Sequence, residues 1–233
     1  VDGNSFTARV TATDGTETTG SVTVGATYTD TAGNAGLAGA DTGAIDTKNP
    51  TVTVTIVDSV RNGTDSSSLV TVQFSEEVRD FSATDLSASG GTLSGFTIVD
   101  GDSFTVLFTA SNDTEATGMV SVGTGYTDVI GNQGTAGSDT LDIDTRNPGV
   151  TVTIVDGLLH SADRQSPVTF EFTEDVSDFD EGDVLVTGGM LSAFTMVDGN
   201  SFTATFTATD GISTTGSISV GTNYTDVAGN AGA

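Results

Sequence analysis

The side chains best suited to chemistry in this sequence are carboxylates. There are 32 acidic residues against 6 basic ones, a formal charge of −26, and the acids recur along the whole chain without forming one tail. In Leu141-Asp142-Ile143-Asp144-Thr145 two of them alternate along an extended segment, so both project to one side. Two aligned carboxylates repel unless a cation bridges them, and oxygen ligands of this kind suit calcium. Nothing comparable supports catalysis. There is no cysteine, and the single histidine, His160, sits in a loop whose counterpart in the other repeat is Asn62. Neither a Ser-His-Asp triad nor a zinc site can be assembled. Neighbouring acids such as Glu76 and Glu77 on one loop define no glycosidase cleft, so the chain is not expected to be an enzyme.

The elements that must position these acids follow from an internal repeat. Val1-Asp2-Gly3-Asn4-Ser5-Phe6-Thr7 returns as Val99-Asp100-Gly101-Asp102-Ser103-Phe104-Thr105 and as Val197-Asp198-Gly199-Asn200-Ser201-Phe202-Thr203, a period of 98 residues. Without gaps, residues 1–36 match residues 197–232 at 27 of 36 positions. A period of this length is a domain rather than a solenoid turn. Within 47–144 turn residues divide the pattern into seven strands, near 51–58, 69–75, 85–89, 92–99, 103–111, 119–128 and 138–144. The inward positions are Val52, Val54 and Ile56, then Val70, Val72 and Phe74, then Phe104, Val106 and Phe108, with threonine mostly outward. The fold class is therefore all-β: tandem immunoglobulin-like seven-strand antiparallel β-sandwiches arranged end to end. The expected divisions are 1–46, the last three strands of a repeat; 47–144, a complete repeat; and 145–233, a repeat lacking its final strand.

That topology gathers the acids at the junctions. The loop after strand six and the loop after strand two lie at the end where the chain enters a sandwich. At the second junction they bring Asp226, Asn230, Glu174, Asp175 and Asp178 toward Asp142 and Asp144, while the preceding domain offers Asp58, Asn112 and Asp113. The first junction has Asp46, Glu76, Asp80, Asp128 and Asn132, with Ala44 in place of the first linker acid, so its site should be weaker or differently built. Calcium is the expected ion. The competing reading is that these Asp and Asn residues only cap turns through their own side chains. Tyr28, Tyr126 and Tyr224 occupy one position of each repeat and read as structural corners rather than a sugar-binding surface. The Thr51-Thr53-Thr55 and Thr151-Thr153 runs read as solvent-facing strand residues, because one strand is too small an array for ice binding.

The charge excludes nucleic acid and anionic membrane as partners, since phosphates would be repelled. No apolar run approaches the roughly 20 residues of a membrane helix, so membrane insertion of this segment is not expected.

Asp144-Thr145-Arg146-Asn147-Pro148 followed by Val150-Thr151-Val152-Thr153-Ile154, then Phe74-Ser75-Glu76-Glu77-Val78-Arg79-Asp80-Phe81, then Tyr126-Thr127-Asp128-Val129-Ile130-Gly131-Asn132, resemble the bacterial Ig-like repeats of giant secreted biofilm and RTX-type adhesins. The resemblance covers the whole chain. It implies a secreted, cell-surface spacer whose partners are neighbouring repeats, often with calcium between domains, and whose host or biofilm ligands are gripped by other domains. Two alternatives remain: a ligand-binding module using the entry-end loops, and a filament subunit in which the strand near 40–46 completes the last domain of another copy.

Overall fold

A computed structural model describes residues 3–233; Val1 and Asp2 lie outside the described residues. The first unit is a hairpin of β1 (Glu17–Val24) and β2 (Gly39–Asp46), paired antiparallel over eight positions from Glu17↔Asp46 to Val24↔Gly39. Of the three strands expected before residue 47, only these two form. Residues 5–13 carry no strand.

The middle unit contains β3 (Val52–Ile56), β4 (Val60–Arg61), β5 (Ser67–Phe74), β6 (Val78–Arg79), β7 (Leu86–Ser89), β8 (Gly91–Ile98), β9 (Ser103–Ala110), β10 (Glu115–Val122), β11 (Thr127–Asp128) and β12 (Gly137–Asp144). One sheet runs β3-β5-β9-β8 and the other β4-β12-β10-β7, while β6 and β11 form a small ribbon at one end. The alternation read from sequence holds. Val70, Val72, Phe74, Phe104, Val106 and Phe108 are buried between the sheets, and Leu107 on the outward face is exposed. The sixth strand is displaced from its expected span near 119–128. It begins at Glu115 and ends at Val122, and Tyr126 then enters the core by itself.

The last unit repeats the plan with β13 (Val150–Ile154), β14 (Gln165–Phe172), β15 (Val176–Ser177), β16 (Val184–Thr187), β17 (Gly189–Met196), β18 (Ser201–Ala208), β19 (Ser217–Val220) and β20 (Thr225–Asp226). One sheet runs β13-β14-β18-β17, but the other holds only β16 and β19. In both sandwiches the same aromatic set packs edge to face: Phe74, Phe81, Phe104 and Tyr126 in one, Phe172, Phe179, Phe202 and Tyr224 in the other.

These tyrosines are structural. Tyr126 is fully buried and donates to the Thr135 carbonyl at 2.7 Å and the Pro50 carbonyl at 3.4 Å. Tyr224 donates to the Pro148 carbonyl at 3.3 Å. Each ring therefore pins the proline that opens its own domain. The threonine at the other end of the linker belongs to the preceding domain: buried Thr145 donates through Oγ1 to the Ser111 carbonyl at 2.8 Å and accepts the Thr114 amide at 3.0 Å. Only Arg146 and Asn147 lie between the two anchors, and Lys48 and Asn49 hold the same place at the first junction.

Candidate cation site at the domain junctions

At each junction one loop is built around an aspartate. Asp128 accepts the amides of Ile130, Gly131 and Asn132 on Oδ1 at 2.8, 2.6 and 2.9 Å, and the Asn132 side chain on Oδ2 at 2.7 Å. Asp226 accepts the Asn230 amide at 2.8 Å and its side chain at 2.6 Å. Exposed Asp30 and Asn34 make the same loop in the first unit. The turn-capping chemistry is thus real, and at the two junctions it leaves Asp128 and Asp226 buried and fixed in direction.

Two further acids converge on each fixed one. Asp46 at the end of β2 and Glu76 in the turn after β5 join Asp128, and Asp144 at the end of β12 and Glu174 after β14 join Asp226. In each trio one oxygen per residue lies within 4.8 Å of the others. Near a protein surface two unit charges about 4 Å apart cost about 4 kcal/mol, so neither trio sits together in its ionised form without compensation. The protonation equilibria register this strain. Desolvation, followed by the charges of Asp46 and Asp128, pushes the Glu76 carboxyl above its ordinary range; desolvation, then Asp144 and Asp226, does the same to Glu174. Asp144 is raised as well, chiefly by burial. Asp128 moves the other way: burial is the largest single influence and would raise it, but the hydrogen bonds from Asn132, Gly131 and Ile130 outweigh that and lower it. Glu174 Oε1 is buried without a hydrogen-bond partner among the described residues.

The expected ligands divide into those the fold assembles and those it sends elsewhere. Asp46, Glu76, Asp128, Asp144, Glu174 and Asp226 are assembled. Asn132 and Asn230 border the trios but act as donors: Asn132 Nδ2 reaches the Asp46 carbonyl at 3.3 Å and Asn230 Nδ2 the Asp144 carbonyl at 2.9 Å. Asp142, on the same strand face as Asp144, remains exposed outside the cluster, its backbone tied to Ser59. Asp80 and Asp178 are exposed at φ of 63° and 61°, where a short polar side chain tolerates a left-handed turn. Asp58 pairs with Arg61 at 3.5 Å, and Asp113 faces Arg146 at 3.8 Å. The preceding domain thus contributes the linker aspartate and no loop acid to the trio.

What the preceding domain does contribute is a contact that strand patterns leave invisible. The loop after β4 reaches across: Asn62 Nδ2 donates to the Ala228 carbonyl at 2.8 Å, and the Gly63 amide donates to Asn230 Oδ1 at 2.6 Å. Asn230 is fully buried by it, whereas Asn132 is only half-buried. Glu115, opposite Asp144 in the β10–β12 ladder, and Glu17, opposite Asp46, add like charge beside the trios. Their place was readable only once the sixth strand was known to start at Glu115.

A family model described as Bacterial Ig-like domain matches residues 46–143 and again 144–233. The chain belongs to this family. The paired sandwiches are accordingly two bacterial Ig-like domains in tandem, with the carboxylate trios at the ends where the chain enters each. Many solved structures show a partial similarity to the chain. Among them are invasin, titled a bacterial integrin-binding protein (14% identity, TM-score 0.41, 78% of this chain and 39% of that one). The Yersinia pseudotuberculosis adhesin InvE (18%, 0.31, 67% and 51%) and InvD of the same organism (18%, 0.31, 76% and 58%) are two more. The chain spans between 39% and 58% of the length of these three. No curated protein sequence matches. Among the described residues, no helix is long and apolar enough to cross a membrane.

Proposed function

We propose that these bacterial Ig-like domains form a spacer in a secreted, cell-surface adhesin of the biofilm or RTX type, and that calcium at the junction trios stiffens it. The supporting observation is the recurrence of one arrangement at both junctions. A linker aspartate, a glutamate from the loop after the second long strand and a turn-fixed aspartate meet within 4.8 Å, 98 residues apart along the chain. The donor set fits the ion. It is all carboxylate oxygen, hard and anionic, and Glu174 Oε1 is a desolvated acceptor with no donor among the described residues. A calcium ion there would be held by Asp144, Glu174 and Asp226, or by Asp46, Glu76 and Asp128, and would supply the positive charge each trio lacks. Because the linker acid belongs to the strand leaving one domain and the other two acids to the next domain, holding all three fixes one domain against the other.

The reading is tested by small-angle X-ray scattering on the 233-residue chain in calcium and in excess chelator. A particle that grows shorter and more variable without calcium supports an ion-stiffened spacer. An unchanged profile, with no heat of calcium binding by calorimetry, overturns the calcium part and leaves a rod held by Pro148, Thr145 and the Asn62–Ala228 contact.

A further inference from the structure

Asn62 is the one asparagine in the chain that precedes a glycine. Such a pair is labile wherever its backbone moves freely, because no Cβ on the glycine hinders the attack of its amide nitrogen on the preceding side-chain carbonyl. Here the pair lies in the loop that crosses the second junction, and each reacting group has a fixed partner. The Gly63 amide, the nucleophile, donates to Asn230 Oδ1 at 2.6 Å, and Asn62 Nδ2, the leaving group, donates to the Ala228 carbonyl at 2.8 Å. Both partners belong to the last domain. The third group, Asn62 Oδ1, is held by its own loop: it accepts the Thr64 amide at 3.0 Å, the Thr64 hydroxyl at 2.9 Å and the Asp65 amide at 2.8 Å. Negative charge gathers on this oxygen when the carbonyl is attacked, so three donors there favour the reaction that the neighbouring domain restrains. Asn62 is half-buried and Gly63 exposed, which leaves the loop open to water.

We propose that Asn62 is a self-modification site, closed while the two domains are docked and open when they part. In the parted state the Gly63 amide loses its acceptor, and its nitrogen, once deprotonated, attacks Asn62 Cγ. The N–Cγ bond forms, the Cγ–Nδ2 bond breaks, and Nδ2 leaves as ammonia carrying the proton that the Gly63 amide gave up. Water then opens the cyclic imide at either carbonyl and leaves aspartate or isoaspartate at position 62. Either product sets a carboxylate against the Ala228 carbonyl where an amide donor stood, and isoaspartate also lengthens the backbone by one carbon. Two acceptors that face each other cannot bond, so the contact does not re-form. A junction that opens for long enough is thereby left permanently looser. The corresponding positions in the last domain are His160 and Ser161, which cannot undergo this reaction.

Incubating the 233-residue chain at mildly alkaline pH, with peptide mass spectrometry and an isoaspartate assay as readouts, tests this. In denaturant Asn62 should convert faster than any other asparagine, and in native buffer it should be strongly protected. Across a temperature series its native rate should rise in parallel with hydrogen exchange of the Gly63 amide, since both need the same opening. Asn230→Ala removes the acceptor of that amide and should speed conversion about tenfold, the shift expected from one lost hydrogen bond. Circular dichroism and a cooperative melt show whether this variant is folded; if it is not, the wild-type series decides alone. Asn62→Asp, which installs one product, should leave the Gly63 amide unprotected in an otherwise folded chain. Native conversion as fast as in denaturant, conversion that rises without Gly63 exchange, or a folded Asn230→Ala with the wild-type rate overturns the proposal. A protected Gly63 amide in Asn62→Asp overturns the permanent loosening.

Discussion

The middle and last sandwiches share a sequence plan and an aromatic core, yet they differ in order along one edge, and the difference traces to one strand. With β12 present, β10 runs from Glu115; in the last unit β19 begins only at Ser217, and residues 213–216 carry no strand. The reason is in the ladders. Positions 115–118 pair with β12 alone, whereas 119–122 also pair with β7, as 217–220 pair with β16. The ordered half of the strand is thus the half that two neighbours hold. β4 behaves alike: Val60 and Arg61 pair with β12, while their counterparts Leu158 and Leu159 form no strand. Burial follows, since Ile56, Val120 and Val122 are buried but Ile154, Ile218 and Val220 only half so. A sandwich of this size depends on its final strand for cooperativity as well as for its own contacts.

The sharpest way to break the comparison is Ile143→Ala, which empties the slot between Gly90 and Gly118. It should cost about 2–5 kcal/mol and drive the middle unit toward the state of the last. Hydrogen exchange would show lost protection at 115–118 and 60–61 before the rest of the domain. Retained protection there would mean that backbone pairing, not the isoleucine, holds the edge.

The junctions provide a second contrast. Asn230→Ala removes a buried amide that ties the Gly63 loop, the Asp144 carbonyl and Asp226 together, and should cost about 1–3 kcal/mol; Asn132→Ala, which has the Asp46 carbonyl bond but no counterpart of the Gly63 contact, should cost less. Melting of the two variants side by side checks this, and equal losses would deny the Gly63 contact any role in stability.

The smallest effect concerns pH. Glu76, Asp144 and Glu174 have raised folded values, so the folded state holds their protons to higher pH than the unfolded chain does. Their contribution is therefore favourable below the raised values and is lost as pH rises through them. In chelator, melting temperature should rise modestly as pH falls from neutral into the upper carboxylate range. It should fall again in stronger acid, when lowered Asp128 is protonated and its loop bonds weaken. Saturating calcium should reverse the first trend, because protons and the ion compete for the same oxygens. A melting temperature that depends on pH identically with and without calcium would count against ion binding at the trios.

Much of this was legible in the residues. The two-residue period of Val, Ile, Phe and Thr marks the strands and their inward faces, since burial of one side of a pleat needs only that alternation. The 98-residue spacing marks the domains, and it places Asp46 with Asp144, Glu76 with Glu174 and Asp128 with Asp226 in equivalent positions. Composition leaves the inner role of each acid open. Asp142 and Asp144 look alike in one strand, as Asp178 and Glu174 do near one loop, but only one of each pair faces the junction.

The sequence by itself determined the fold class, the repeat and the supply of acids at the domain ends, because those depend on short-range pattern. Only the tertiary structure decided which carboxylates share a space, and that Asn62 and Gly63 reach Ala228 and Asn230 more than 160 residues away. Each depends on the meeting of side chains far apart in sequence, and local periodicity carries no record of such meetings.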